Sequence, residues 1–276
     1  MSNDIAINKA RAVYYNLFSK FFVYPKDMDK YKELLNILSF IKQAPLDSNC
    51  EEALSNLELK LPKDSNELLI SEFDELFSNP NFLVVKSTAS FYDEGIENGN
   101  KRLEMLQFLA KTTIRRDEKS YFENEDNIGF IVTILFELLE SFNNGEAKYE
   151  NTIHCIFEQI LNSFVDEFNE ELYNHEKSDI YKEVAVLFSS FIAFERLCLN
   201  VAKPPKKEKI ENKSNSLISD EEKEKNIRDK VTAEFEAKER VNASGTKAKE
   251  FMEKNKLKIT PGMKEIQTEL NKIKKG

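Results

Sequence analysis

Through the first 200 positions, apolar residues recur at steps of three and four. Val13, Leu17, Phe18 and Phe21 with Tyr14 beside them, then Leu34, Leu35, Leu38 and Ile41, then Leu103, Leu106 and Leu109 with Phe108, all follow the pitch of an α-helix. Seven glycines, seven prolines and no tryptophan in 276 residues leave few turn formers for a β-sandwich or a glycine-looped nucleotide-binding α/β domain. A hydrophobic fraction of 41% supports one core, of about 150 to 200 residues. The expected fold is all-α: a single helical bundle with a charged C-terminal extension, partly disordered or helical.

The spacing predicts helices near 5–23, 27–43, 65–78, 97–115, 126–143, 150–172 and 178–200. Pro25-Lys26-Asp27 punctuates the first two, Asp64 or Ser65 can cap the run to Phe77, and Ser178 precedes the last apolar run. The segments Ile128–Leu139 and Val184–Leu199 are apolar on nearly every side, so other helices must surround them at the centre of the bundle. The one strand-like piece, Phe82-Leu-Val-Val85, is too isolated to build a sheet.

Charge divides the chain. Residues 1–202 carry 20 basic and 35 acidic side chains, a charge of −15, whereas residues 203–276 carry 20 and 14, a charge of +6. The composition changes at Ala202, which predicts a helical domain over 1–202, a flexible linker over 203–219 and a basic tail over 220–276. In the tail, Ser219-Asp-Glu-Glu222 opens one charged helix to about Arg240 and Thr260-Pro261 another to about Lys274. An acidic body repels phosphate backbones and attracts cationic partners, so no nucleic acid is expected on it. Cys50, Cys155 and Cys198 are odd in number and widely spaced, which argues against a disulfide framework. No secretory signal pattern opens the chain, and the longest uncharged apolar run, Val184–Phe194, is about half a membrane span. A cytoplasmic protein with no stable membrane insertion is expected.

Enzyme chemistry finds little support. His154 and His175 lie 21 positions apart with only Cys155 as a neighbouring soft ligand, so no metal is expected. There is no GxSxG or Cys/His signature, and Gly95, Gly99, Gly129 and Gly145 form no phosphate cradle, so no cofactor is expected either. Glu123 and Asp126 are an acid/base pair in name only, because nothing near them in sequence supplies a nucleophile or cofactor. Two segments stand out instead. Tyr121-Phe-Glu-Asn-Glu-Asp-Asn-Ile-Gly129 puts Glu123, Glu125 and Asp126 at the mouth of an apolar helix, as caps or as an acidic lip beside a groove. Ser71 to Pro80 reads as an amphipathic helix, and Asn81 to Glu94 as a long aromatic and acidic connection, either packed on itself or used for binding.

Taken in order, these pieces resemble the TorD/DmsD/NarJ-type chaperones of molybdenum-containing redox enzymes. The family's Arg-x-x-x-Tyr helix appears as Arg11-Ala-Val-Tyr-Tyr15, its Tyr-x-x-Leu-Phe-x-x-Pro stretch as Phe73-Asp-Glu-Leu-Phe-Ser-Asn-Pro80, and its Ser-Val-Tyr loop as Ser90-Phe-Tyr92. Its Glu-Pro-x-Asp-His signature appears as Glu123-Asn-Glu-Asp-Asn127, with Asn124 for the proline and Asn127 for the histidine. The resemblance spans roughly residues 8–200.

The resemblance implies a TorD-like helical chaperone without catalytic turnover. It implies partners too: the apo catalytic subunit of a molybdoenzyme and that subunit's twin-arginine signal peptide, bound by a monomer or dimer until the cofactor is inserted and export follows. Two guanidinium groups and an apolar run suit carboxylates beside a groove. The residues expected to bind the signal are Glu123, Asp126 and Asn127 at the mouth, Tyr92, Asp93 and Glu94 from the facing segment, and Phe73, Phe77 and Phe91 on the apolar side. A formate dehydrogenase, a nitrate reductase and an S- or N-oxide reductase all fit as clients, with a lean to the first by general likeness. The other reading is a non-enzymatic adaptor that docks through its basic tail.

Overall fold

The computed structural model describes residues 2–79, 83–117 and 121–205. The tail readings from 206 onward lie outside the described residues. Ten α-helices follow in order among those described: α1 (Ser2–Phe22), α2 (Met28–Ile41), α3 (Ser48–Lys60), α4 (Glu67–Phe77), α5 (Ala89–Glu94), α6 (Asn100–Ala110), α7 (Ile128–Asn143), α8 (Glu150–Cys155), α9 (Val165–Asn174) and α10 (Ile180–Leu199). The expected all-α class holds. Leu83–Val85 builds no ladder, and the β-type contact among the described residues is a single bridge between Thr88 and Asn127.

Side-chain pattern accounts for how the helices pack. The repeat of α1 buries Tyr15, Leu17, Phe18, Phe21 and Phe22. Phe18 meets Phe188 at 4.5 Å and Phe191 at 5.5 Å between ring centroids, and Tyr15 meets Phe191 edge-on at 4.9 Å. Each buried ring contributes roughly 1.5–3 kcal/mol, so ring packing rather than helix propensity fixes α1 against α10. The whole face of α1 also runs along α7, while α10 packs on α3 and α9. A side chain at Gly129 would place its first carbon 2.2 Å from the carbonyl oxygen of Phe22, so glycine lets α7 begin against the end of α1. The two apolar helices are buried as expected, although the far end of α10 emerges, with Leu197 82% exposed.

Caps set several boundaries. Asp27 accepts from the N–H groups of Asp29 and Lys30 to start α2, and Ser65 Oγ accepts from Glu67 N at the start of α4. Ser178 does not cap α10, and its buried hydroxyl has no hydrogen-bond partner among the described residues. Glu72 of α4 does so instead, accepting from the backbone N–H groups of Asp179, Ile180 and Tyr181 at 2.8–2.9 Å. At the other end of α10, Asn200 takes the left-handed conformation (φ 53°) and Val201 N–H donates to Arg196 O at 2.9 Å.

Three expectations need correction. Ser48–Lys60 forms α3, whose buried stripe of Cys50, Ala53, Leu54 and Leu57 is half small residues and therefore faint in the sequence. The segment read as a connection through Glu94 contains α5, closed by Gly95 at φ 72°. The predicted helix 150–172 is not continuous: a π-turn at Ile156–Ile160 and a 3₁₀ turn at Leu161–Ser163 separate α8 from α9.

Candidate functional site

The start of α7 and the start of α5 are built into one another. Asp126 Oδ2 accepts from Ser90 N at 2.9 Å, inside the first turn of α5. The carbonyl of Asp126 accepts from Ala89 N at 2.9 Å, and Ile128 N donates to Ser87 O at 2.7 Å. Asn127 caps its own helix by accepting from Gly129 N at 2.8 Å, donates its amide to Ser87 Oγ at 2.9 Å, and receives the Tyr121 hydroxyl at 3.1 Å. Burial pushes the Tyr121 hydroxyl far above its usual pKa, so it stays protonated as that donor. The two segments that stood out in the sequence therefore meet in one junction. Asp126 is wholly buried there, and its second oxygen, Oδ1, has no hydrogen-bond partner among the described residues.

Of the three acids expected at the lip, only Glu123 stands on the surface. Glu125 is buried between two arginines, with Arg102 Nε 2.6 Å and Arg116 Nε 2.8 Å from its oxygens. Burial works against its charged form, but hydrogen bonds from Arg102, its own backbone and Arg116 outweigh that and hold the carboxyl below the usual range. Asp126 and Asn127 are likewise interior, so their role in the junction is to hold α5 and α7 in place.

In the facing segment, Asp93 and Glu94 are exposed. Glu94 already serves α6, accepting from Asn100 N at 2.5 Å and from its side-chain amide at 3.2 Å. The Tyr92 hydroxyl lies 2.8 Å from Glu171 Oε2 and 2.9 Å from the Lys86 carbonyl, and burial raises its pKa well beyond the ordinary tyrosine value. Lys86 sits over the Phe91 ring at 5.3 Å.

The expected aromatic side chains form one ridge through partners that the sequence reading did not include. Phe73 and Phe77 of α4 stand 4.8 Å apart; Phe77 reaches Phe168 of α9 at 6.5 Å, Phe168 reaches Phe164 at 6.3 Å, and Phe164 stacks on Tyr92 at 5.4 Å. Phe91 ends the ridge, 5.8 Å from Tyr92. The π-turn and 3₁₀ turn before α9 deliver Phe164 into that chain.

The Arg-x-x-x-Tyr helix has a different duty. Arg11 makes two hydrogen bonds to the carboxylate of Glu195, at 2.7 and 2.6 Å, and Tyr15 donates to the same group at 2.9 Å, all three side chains being buried. Glu195 went unnoticed in the sequence, its only signal being a lone acid in a strongly apolar stretch. Among the described residues no three metal-ligating side chains come together. His154 lies beside Glu158 at 3.7 Å and His175 beside the Leu83 carbonyl at 2.9 Å. No described helix is long and apolar enough to cross a membrane.

Residues 43–170, from just before α3 into α9, match the family described as nitrate reductase delta subunit. The match takes in somewhat less than half of the chain's 276 residues. The matched stretch encloses the junction of α5 with α7, and it bears out the resemblance to TorD/DmsD/NarJ-type chaperones drawn from the motifs. A solved structure from Archaeoglobus fulgidus, described as a candidate redox enzyme maturation protein, is 20% identical with a TM-score of 0.42, covering 67% of this chain and 93% of its own. A likeness of that degree bears on neither fold nor function. No curated protein matches the chain.

Proposed function

We propose that this protein is a non-enzymatic maturation chaperone, which binds the twin-arginine signal peptide and apo catalytic subunit of a molybdoenzyme in the cytoplasm. One observation carries the reading: the family match encloses both motif segments, and those segments meet in one buried junction with the solvent-exposed acids Glu123 and Asp93 beside it. In this reading the buried Asp126 and Asn127 set the spacing of α5 and α7, and the exposed carboxylates of Glu123 and Asp93 receive the two guanidinium groups. The rings of Phe164 and Phe168 are buried in the middle of the ridge, and the half-buried Phe73, Phe77, Tyr92 and Phe91 offer the apolar surface for the hydrophobic stretch that follows. A charge of −15 over residues 1–202 speeds the encounter with a cationic leader. A formate dehydrogenase is the first client to try, followed by a nitrate reductase and an S- or N-oxide reductase.

The test is peptide binding to the full chain, with a peptide of two arginines followed by an apolar run. Glu123→Lys combined with Asp93→Lys changes exposed side chains, so helicity should stay the same while affinity falls about tenfold, the scale of two weak ion pairs made repulsive. Unchanged affinity would remove these acids from the site.

A further inference from the structure

A cleft between α2 and α3 shares no residue with the junction of α5 and α7. It encloses about 310 Å³, at the small end of the ~300–1,000 Å³ range of ligand sites. Leu35, Leu38, Leu54 and Leu61 line it with apolar surface. Its rim holds Lys32, Lys42 and Lys63 against a single carboxylate, Glu58, which gives the cleft an excess of two positive charges in a region that is otherwise strongly acidic. Lys42 is committed to Glu58 at 2.5 Å. Lys32 reaches only the exposed Asp29, at 3.5 Å, and Lys63 acts on Glu58 at longer range without a salt bridge among the described residues. Asn36 and Ser39 add polar groups on the α2 side.

We propose that this cleft binds a small monocarboxylate with an apolar body, of the medium-chain fatty-acid type. The leucine floor takes the chain, and the carboxylate lies at the rim between Lys63 and Lys32, whose pair with Asp29 at 3.5 Å is long and solvent-exposed. Charge complementarity selects the occupant: a cationic amphiphile meets three lysines, a neutral one gains only the floor, and an acidic one gains both. The volume suits a single short chain and is too small for a helix, which is about 10 Å across. The site is independent of signal-peptide binding, and its test does not pass through that reading.

The experiment is an amide-shift titration of the isotopically labelled full chain with sodium octanoate, octan-1-ol and octylamine. Octanoate should give saturable shifts at Leu35, Ser39 and Leu61, octanol the same shifts about tenfold more weakly, and octylamine none there. Lys32→Ala with Lys63→Ala alters exposed side chains and should bring octanoate down to the octanol affinity while leaving octanol unchanged. Absence of saturable shifts with octanoate, equal binding of octanoate and octanol, or an undiminished octanoate affinity in the double variant would overturn the proposal.

Discussion

Arg11 and Tyr15 stand one turn apart on α1, so both side chains reach the same buried carboxylate, Glu195 of α10. The pair of residues was legible in the sequence as a motif; the partner was not, because it lies 184 positions from Arg11 and no local pattern announces it. Removing the acceptor leaves a guanidinium without its counter-charge inside the protein, so Glu195→Gln should cost about 3–5 kcal/mol in urea unfolding. A loss below about 1 kcal/mol would mean that water replaces the carboxylate. Glu125 is a second residue whose role only the structure reveals, since its arginine partners Arg102 and Arg116 come from outside its own segment. Its folded pKa lies below the unfolded one. The stability it adds is therefore present above the unfolded value, near pH 4.5, and is lost as pH falls through the folded value. Glu125→Gln should be less stable than the parent at pH 7, by about 1–3 kcal/mol, and the gap in urea midpoints should close on acidification below about pH 4. A gap that widens on acidification would contradict this.

At the scale of elements, the helices with strong apolar stripes, α1, α2, α4, α7 and α10, were legible because their buried side chains are large. The exception in the middle of the chain is instructive. Ile156-Phe157, Ile160-Leu161, Phe164-Val165 and Phe168 are all buried and recur every four residues rather than every 3.6. A regular α-helix would carry this stripe around its axis by about 40° per repeat; the wider π-turn at Ile156–Ile160 offsets that drift, and the 3₁₀ turn at Leu161–Ser163 then ends the run before α9. The pattern was present in the sequence, but a three-or-four reading accepts four as helical. The start of α10 was misjudged for another reason: its cap, Glu72, belongs to α4. Burial raises the Glu72 pKa, with the three N–H groups acting in the opposite direction. Glu72→Ala should cost about 1–2 kcal/mol, seen as a lower urea midpoint, with Glu72→Gln recovering part of it. An unchanged midpoint for the alanine variant would show that the first turn of α10 is held by packing alone.

For the whole molecule, the order of the motifs, and not any one of them, carried the resemblance, and residues 43–170 match the family described as nitrate reductase delta subunit. The candidate site was only partly legible. The sequence named both segments of the junction but not which acids face inward, because the same capping chemistry buries Asp126 and leaves Glu123 exposed three residues away. The acidic charge of residues 1–202 gives that part of the chain a long-range preference for cations. The most direct test of the chaperone reading is capture of partners by the tagged full chain from its own cell extract, identified by mass spectrometry with and without the client's leader. The expected result is one molybdoenzyme catalytic subunit, lost when its twin-arginine leader is deleted. Capture that survives deletion of the leader, or an extract in which no such subunit is retained, would contradict the account.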